Sequence, residues 1–315
     1  MFQPKPFSEG FLEEQDGHRV YFAQYGNRDG KAIVSLHGGP GSKSKPKHAM
    51  GFDLEKYHVV MFDQRGCGKS EPMGRLEENT TQKLCEDAER LREHLGLNQW
   101  FVTGGSWGSA LSLVYAEMFP ESVRGIMVSA VFLADEDSFN WSFTQPNGIA
   151  QLFSDVWDVR NEALAVYEAT SKNAATVLLE KLKKVSFDEK KQIAADVLNW
   201  EGNLMTSTAD VSYMTADDVE EKDIADVKIF LHYESNNCFL EEKQLINDIE
   251  KIQDIPMMIV HGRHDVLCPF QGAWDLHKTH QKSRIVALPQ SNHMFSADGY
   301  VAKKYIFDSF LKDFE

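Results

Sequence analysis

The pentapeptide Gly104-Gly105-Ser106-Trp107-Gly108 places the strongest constraint on how this chain folds. It follows an apolar run, WFVT, and precedes a segment with helical spacing, LSLVYAEMF, as a sharp turn from a strand into a helix requires. Glycines on both sides let the backbone bend tightly, and the helix N-terminus behind the serine favours developing negative charge. The pattern predicts either a nucleophilic serine at Ser106 or a glycine-rich structural turn that a serine caps.

Apolar runs of strand length recur along the first part of the chain, with helical segments between them. The runs are continuous rather than alternating, which indicates strands that are buried on both faces of a parallel sheet. Glycine clusters end three successive runs, so they mark the carboxyl edge of that sheet, where open α/β folds bind their ligands. The predicted strands of this part lie at residues 32–36, 57–63, 100–103 and 123–131, and a helix is predicted over residues 80–95.

Between about residues 132 and 245 the alternation of strands and helices stops. Segments there have helical periodicity and charged faces, and strand-like runs resume only at residues 256–262 and 283–289. A helical insertion of this length predicts a cap over the carboxyl edge. We therefore predict an α/β-hydrolase fold: a mostly parallel central sheet flanked by helices, from residues 1–131 and 246–315, with an inserted helical cap at residues 132–245.

A serine hydroxyl is a poor nucleophile until a histidine removes its proton and a carboxylate orients that histidine. In this fold the acid and then the histidine follow the serine, each just beyond a late strand. Asp265 follows the run MMIV within HGRHD, and His293 follows RIVALP within QSNHM. We predict that Ser106, Asp265 and His293 form the catalytic triad of a serine hydrolase.

Two other polar residues compete for these roles. His264 adjoins the predicted acid but comes too early to be the base, so it is assigned to loop structure. Asp63 follows an earlier strand and is predicted to bind nearby backbone. The oxyanion hole needs two backbone N–H groups, which we assign to Trp107, after the nucleophile, and to Gly39, in the turn His37-Gly38-Gly39-Pro40.

Net charge, apolar runs and cysteine spacing limit the binding partners and the location that we expect for this chain. A net charge of −15 argues against nucleic acid or an anionic membrane as the main partner. The N-terminus has no secretory signal pattern, and no apolar run approaches the roughly 18 residues that a membrane-spanning helix needs. Four scattered cysteines show no zinc or disulfide spacing, so we predict reduced thiols in a cytoplasmic protein.

Three glycine-rich motifs together resemble those of the proline iminopeptidases, also called prolyl aminopeptidases. They are HGGPG (37–41), DQRGCGKS (63–70) and GGSWGS (104–109), and the resemblance continues through Asp265, His293 and the cap segments LFSDVWD and NWEG. It implies release of an N-terminal proline from peptides by acyl transfer to serine and then to water. It also implies that neither a metal nor a cofactor takes part.

The resemblance also implies cap carboxylates that bind the free amine of the substrate. Glu201, in the Trp-Glu-Gly context, is similar to one of them, although the residue pattern alone favours an ordinary exposed helix glutamate. Where the family carries a second glutamate, this chain has Phe230, with Glu234 nearby. Two further departures are Asn292 in place of the usual glycine before His293, and a lysine-containing loop after HGGPG (Lys43, Lys45, Lys47) that fits a solvated loop.

Three functions remain open from the sequence. The first is an aminopeptidase that acts on short peptides and prefers an N-terminal proline. The second is a carboxylesterase, amidase or lactonase on the same scaffold, which Phe230 favours. The third is a non-catalytic ligand-binding protein, which retention of all three triad residues disfavours.

Overall fold

The computed structural model describes residues 3–206 and 211–314, apart from the side chain of Thr206. An eight-stranded sheet lies at the centre, in the order β1-β2-β4-β3-β5-β6-β7-β8. The pairs β1–β2 and β2–β4 are antiparallel, and the remaining pairs are parallel. The strands are β1 (Ser8–Phe11), β2 (Tyr21–Gly26), β3 (Lys31–Leu36), β4 (Tyr57–Phe62), β5 (Trp100–Ser106), β6 (Val123–Val131), β7 (Met257–Gly262) and β8 (Ser283–Leu288).

Helices cover the sheet and fill the interval between β6 and β7. Short 3₁₀ turns connect several of them. The α-helices are α1 (Pro46–Ala49), α2 (Thr81–His94), α3 (Trp107–Met118), α4 (Glu136–Phe139), α5 (Ser154–Val166), α6 (Ala174–Leu182), α7 (Phe187–Thr206), α8 (Glu221–Ser235), α9 (Gln244–Asn247), α10 (Phe270–Thr279) and α11 (Ala297–Lys312).

Both faces of the sheet are buried, which explains the continuous apolar runs of its strands. Val34 and Val60 belong to one apolar core, and their neighbours Ile33 and Val59 belong to another on the opposite face. This alternation follows from the two-residue period of a strand. The predicted mostly parallel α/β fold is confirmed, including the β6 strand at the predicted residues 123–131.

The described residues between β6 and β7 contain helices and turns and no strand, and they enclose an apolar core of their own. Helix α8 joins this core to the sheet domain. Its Ile229 and Tyr233 pack into the core against the sheet, whereas Phe230 and Leu231 pack into the core of the insertion. A helical insertion over the sheet is therefore present, while the division at residues 131–132 and 245–246 stays a prediction.

The residues predicted to begin and end helix α2 do so in the structure. Thr80 caps α2, since its hydroxyl accepts a hydrogen bond from the Lys83 amide, and Gly96 ends the turn with a φ of 66°. The periodic stretch at 161–184 instead divides into α5 and α6, because Glu168 adopts a φ of 57° between them. None of the helices in residues 3–206 and 211–314 is long and apolar enough to cross a membrane.

Candidate active site

Ser106 lies at the end of β5, where the chain turns abruptly into α3. Its φ of 57° and ψ of −133° are unusual for a residue with a side chain, and such strain is typical of a nucleophile held at a strand-to-helix turn. A side chain on Gly104 would collide with the carbonyl oxygen of Gly108, and one on Gly108 would collide with that of Leu36. Gly104 and Gly108 are therefore required by close backbone approach.

Asp265 and His293 are paired at the far side of the sheet edge, in the loops after β7 and β8. The His293 Nδ1 lies 2.9 Å from Asp265 Oδ2 and 3.1 Å from Oδ1. Both residues are buried, with 7% of His293 and 4% of Asp265 exposed. This pairing orients the imidazole and leaves Nε2 as the nitrogen that faces other partners.

Cys268 connects this pair to Ser106. Its backbone N–H donates to Asp265 Oδ1 over 2.8 Å. Its thiol is in contact with the Ser106 hydroxyl, and both residues line one cavity. Burial raises the pKa of this thiol well above its ordinary value. The loop that carries the predicted acid thus reaches the predicted nucleophile, although the sequence did not single out Cys268.

The two residues predicted to form the oxyanion hole lie close to Ser106. Trp107 is the first residue of α3, and Gly39 lines the cavity of Ser106. Gly39 has a φ of 113°, and a side chain there would collide with the backbone of the same turn. Backbone N–H groups at a helix start and in such a turn can stabilise an oxyanion.

Gln64 joins these two elements and was missed by the sequence reasoning. Its Oε1 accepts a hydrogen bond from Trp107 Nε1 over 3.0 Å, and its Nε2 donates to the His37 carbonyl over 2.9 Å. All three groups are buried. The only sequence signal was the position of Gln64 at the end of a predicted strand, within the motif DQRG.

The cavity in front of Ser106 has a volume of about 40 Å³. It is bounded by the Gly39 turn, the acid loop and the helical insertion. Such a volume holds about three water-sized groups, so it suits a small substrate group. The residues that line it are Gly39, Pro40, Ser106, Phe132, Phe139, Ser142, Phe143, Glu201, Phe230, Glu234, Cys238, Leu267 and Cys268.

Two carboxylates of the insertion face this cavity, Glu201 from α7 and Glu234 from α8. Burial, and then the proximity of Glu234, raise the pKa of Glu201 to about 8. Burial raises the pKa of Glu234 to about 7, an effect that Arg160 opposes. Phe230 lies one helical turn before Glu234 and lines the same cavity, so both occupy one face of α8.

Arg160 lies deeper in the insertion and was not identified from the sequence. It lines a second small cavity that shares Glu201 and Glu234 with the first. Its guanidinium stacks over Trp157 and Trp200, at 5.1 and 5.3 Å from the ring centroids. Burial lowers the pKa of Arg160 to about 10, and Glu234 opposes that shift. This second cavity is therefore lined by two carboxylates, Glu201 and Glu234, and by one guanidinium, that of Arg160.

The remaining candidates lie elsewhere. Asp63 accepts hydrogen bonds from the backbone N–H groups of Ser44 and Lys69, both over 2.8 Å, in keeping with the predicted structural role. His264 is exposed in its loop. Lys43 lines a separate cavity of about 310 Å³, which shares no lining residue with that of Ser106. The side chains of Lys45 and Lys47 are exposed.

Within residues 3–206 and 211–314, no group of three or more His, Cys, Asp and Glu side chains is arranged to hold a metal ion. A strained serine and a buried imidazole–carboxylate pair, both at the carboxyl edge of the sheet, are the groups that nucleophilic attack on an acyl group requires. Two carboxylates in the same cavity are suited to binding a cation.

Comparison with known proteins identifies the fold and the family of this chain. The family model of the alpha/beta hydrolase fold matches residues 31–300. A solved α/β-fold hydrolase from Bacillus anthracis superposes with a TM-score of 0.61 over 98% of this chain and 99% of its own, at 18% identity. That likeness concerns the fold alone.

Relatives of known name are closer in sequence. Proline iminopeptidase from Xanthomonas citri is 39% identical to this chain over 91% of both proteins. Proline iminopeptidase from Arabidopsis thaliana is 34% identical over 98% of this chain and 80% of its own length. Identity at this level over nearly the whole sequence shows that the chain belongs to the proline iminopeptidase family of α/β hydrolases.

Proposed function

We propose that this protein is a serine aminopeptidase that releases an N-terminal residue, preferably proline, from short peptides. The observation that carries the proposal is the position of Glu201 and Glu234, which line the cavity of Ser106. An aminopeptidase must bind a free amine next to its nucleophile, and a carboxylate beside a cationic amine forms a charge-assisted hydrogen bond. An esterase of neutral substrates has no need of two acids there.

In the proposed reaction, Ser106 Oγ attacks the carbonyl carbon of the first residue while His293 Nε2 accepts the hydroxyl proton. Asp265 holds the imidazole through Nδ1 and stabilises its positive charge. The backbone N–H groups of Gly39 and Trp107 stabilise the oxyanion, each contributing about 3 kcal/mol. The peptide C–N bond then breaks, and the proton on His293 passes to the leaving amine.

The second half of the reaction frees the enzyme. Water attacks the acyl-enzyme at its carbonyl carbon, with His293 accepting a proton from that water. The bond to Ser106 Oγ breaks, the proton returns to this oxygen, and the free amino acid leaves. No redox step is involved, and the balance is that of peptide hydrolysis.

The shape of the site supports a small first residue. The cavity has a volume of about 40 Å³, which suits a compact first residue. Phe230, Phe139 and Phe143 give it apolar walls. The cap carboxylates would hold the ring nitrogen while these aromatic rings contact the methylenes.

Phe230 is the departure that favoured an esterase, and Glu234 weakens that reading. Because Glu234 faces the same cavity one helical turn later, a second carboxylate is still supplied by α8. We therefore place both Glu201 and Glu234 in the amine-binding site.

We also propose a cytoplasmic location, since Cys67, Cys85, Cys238 and Cys268 are buried free thiols, which suit a reducing compartment.

The decisive experiment compares substrates that differ in the free amine. Kinetics would be measured with the arylamides of proline and alanine, with N-acetylproline arylamide and with p-nitrophenyl acetate. We expect the proline arylamide to have the highest kcat/KM of the amides and its N-acetylated form to be inert. Fast ester cleavage together with negligible arylamide turnover would end the peptidase proposal.

A further inference from the structure

His261, at the end of β7, is a buried histidine that the proposed reaction does not use. It is fully buried, and its Nε2 lies 3.6 Å from Asp265 Oδ2. It therefore lies against the predicted acid, next to Oδ2, the same oxygen that is 2.9 Å from His293 Nδ1. An imidazole in this position either fills space or holds the acid in place.

Both ring nitrogens of His261 are hydrogen-bonded to backbone groups. Val131 N–H donates to Nδ1 over 3.0 Å, and Nε2 lies 2.8 Å from the Cys268 carbonyl oxygen. Nδ1 accepts a hydrogen bond from the Val131 N–H, so it carries no proton. The Cys268 carbonyl can only accept a hydrogen bond, so Nε2 must donate, and the ring is neutral with its proton on Nε2. Burial lowers the pKa of His261, with Asp265 opposing that effect, in agreement with a neutral ring.

The two backbone partners belong to the two halves of the catalytic machinery. Val131 is the register partner of Ser106 across the β5–β6 pair. Cys268 ends the acid loop and donates its own N–H to Asp265 Oδ1. The imidazole thus links the strand beside the predicted nucleophile to the loop that carries the predicted acid.

An apolar residue of similar size could fill this space but would leave a buried N–H and a buried carbonyl without partners. Each such loss costs about 1–3 kcal/mol. Through the Cys268 carbonyl, the imidazole holds the end of the acid loop against β7. Loss of this hydrogen bond would remove the link between β7 and the end of the loop that carries Asp265.

We propose that His261 is a positioning residue that holds the acid loop through its Nε2–H bond to the Cys268 carbonyl, so that Asp265 meets His293. The inference rests on the proposed catalytic roles of Ser106, Asp265 and His293. It does not depend on whether the substrate is a peptide or an ester.

The test uses two conservative variants that each keep one of the two hydrogen bonds. In His261→Gln the side-chain amide nitrogen reaches the place of Nε2 and keeps the bond to Cys268. In His261→Asn the side-chain oxygen takes the place of Nδ1 and keeps only the bond to Val131. Each variant loses one buried hydrogen bond, so their melting temperatures should fall by similar amounts.

We expect His261→Asn to lower kcat for p-nitrophenyl acetate and for proline arylamide by about 100-fold with little change in KM, because a displaced catalytic group costs rate rather than binding. His261→Gln should retain most of the wild-type kcat. Equal losses in the two variants, a larger loss in His261→Gln, or wild-type activity in both would each overturn the proposal.

A measurement on the unmutated protein keeps the test decisive if a variant fails to fold. Nitrogen-15 NMR of the histidine rings at neutral pH should show His261 protonated on Nε2, and a ring protonated on Nδ1 would refute the proposal. Failure of the peptidase function would be seen separately, as absent arylamide turnover in the wild type with ester turnover still sensitive to His261→Asn.

Discussion

The carboxyl edge of the sheet and the helical insertion both line the cavity of Ser106, yet their polar groups are satisfied very differently. At the sheet edge, Asp265 accepts hydrogen bonds from His293 and from the Cys268 amide. In the insertion, Glu201 and Glu234 have no hydrogen-bonding partner among the described residues, and burial raises the pKa of both carboxyls.

This difference separates two tasks. Groups that must react in one geometry are held by fixed hydrogen bonds, which is how an enzyme stabilises a transition state without reorganisation. Groups that must bind a charged substrate gain most when the substrate itself supplies the missing partner, since an unpaired buried charge is costly. On the proposed roles, the sheet edge carries the chemistry and the insertion carries the recognition, and four predictions test that division.

The largest effect is expected at the nucleophile. Ser106→Ala should lower kcat about a million-fold for every substrate, because the covalent route is lost. It should also abolish labelling by a fluorophosphonate probe, as followed by mass spectrometry. Ser154→Ala, on an exposed position of the insertion, is the matched control and should behave as wild type. Retained labelling in Ser106→Ala would show that another residue reacts.

An intermediate effect is expected in the insertion. Glu201→Gln and Glu234→Gln each remove a charge-assisted hydrogen bond worth about 1.5–3 kcal/mol, so kcat/KM for proline arylamide should fall about 10- to 100-fold. Cleavage of p-nitrophenyl acetate should be unchanged, because that ester carries no amine. Glu162→Gln, on the exposed face of α5, is the control. Parallel losses for amide and ester would contradict the division of tasks.

The smallest effect is a difference in pH dependence. The folded pKa values of about 8 for Glu201 and about 7 for Glu234 lie above the ordinary value of 4.5, so both carboxyls become charged only as pH rises through this window. The ratio of kcat/KM for proline arylamide to that for the ester should therefore rise with pH, by up to about tenfold per unit. A ratio that stays flat between pH 6 and 9 would place the amine elsewhere.

The same raised pKa values predict a change in stability. Between the unfolded pKa near 4.5 and the folded pKa near 8, the folded state keeps a proton that the unfolded state releases, so stability falls as pH rises. Glu201→Gln removes this penalty. Its melting temperature should therefore exceed that of the wild type most clearly at pH 8 and hardly at all at pH 5.

Much of the sheet edge could be predicted, because its parts are local. The Ser106 turn follows from close backbone approach at Gly104 and Gly108, which only glycine permits. Asp265 and His293 could be located because each comes directly after a strand that the apolar pattern reveals. Their catalytic roles remain predictions, whereas their pairing is a feature of the structure.

The insertion was harder to predict. Helical periodicity shows which residues share a face of a helix, but not which way that face points in the folded protein. The spacing of Phe230 and Glu234 puts them on one face of α8, but not necessarily towards Ser106. Arg160 and Gln64 went unnoticed because each acts through partners that are distant in the chain.

By itself, the sequence determined the order of strands and helices, the tight turn at Ser106 and the candidates for acid and base. These depend on backbone sterics and apolar period, which operate over a few residues. Only the tertiary structure decided which cap carboxylates face the nucleophile. The rotation of α8 is set by docking, with the Tyr233 hydroxyl bonded to Asn79 Oδ1 over 2.9 Å and its ring against Trp107, and such contacts between distant segments cannot be read from local patterns.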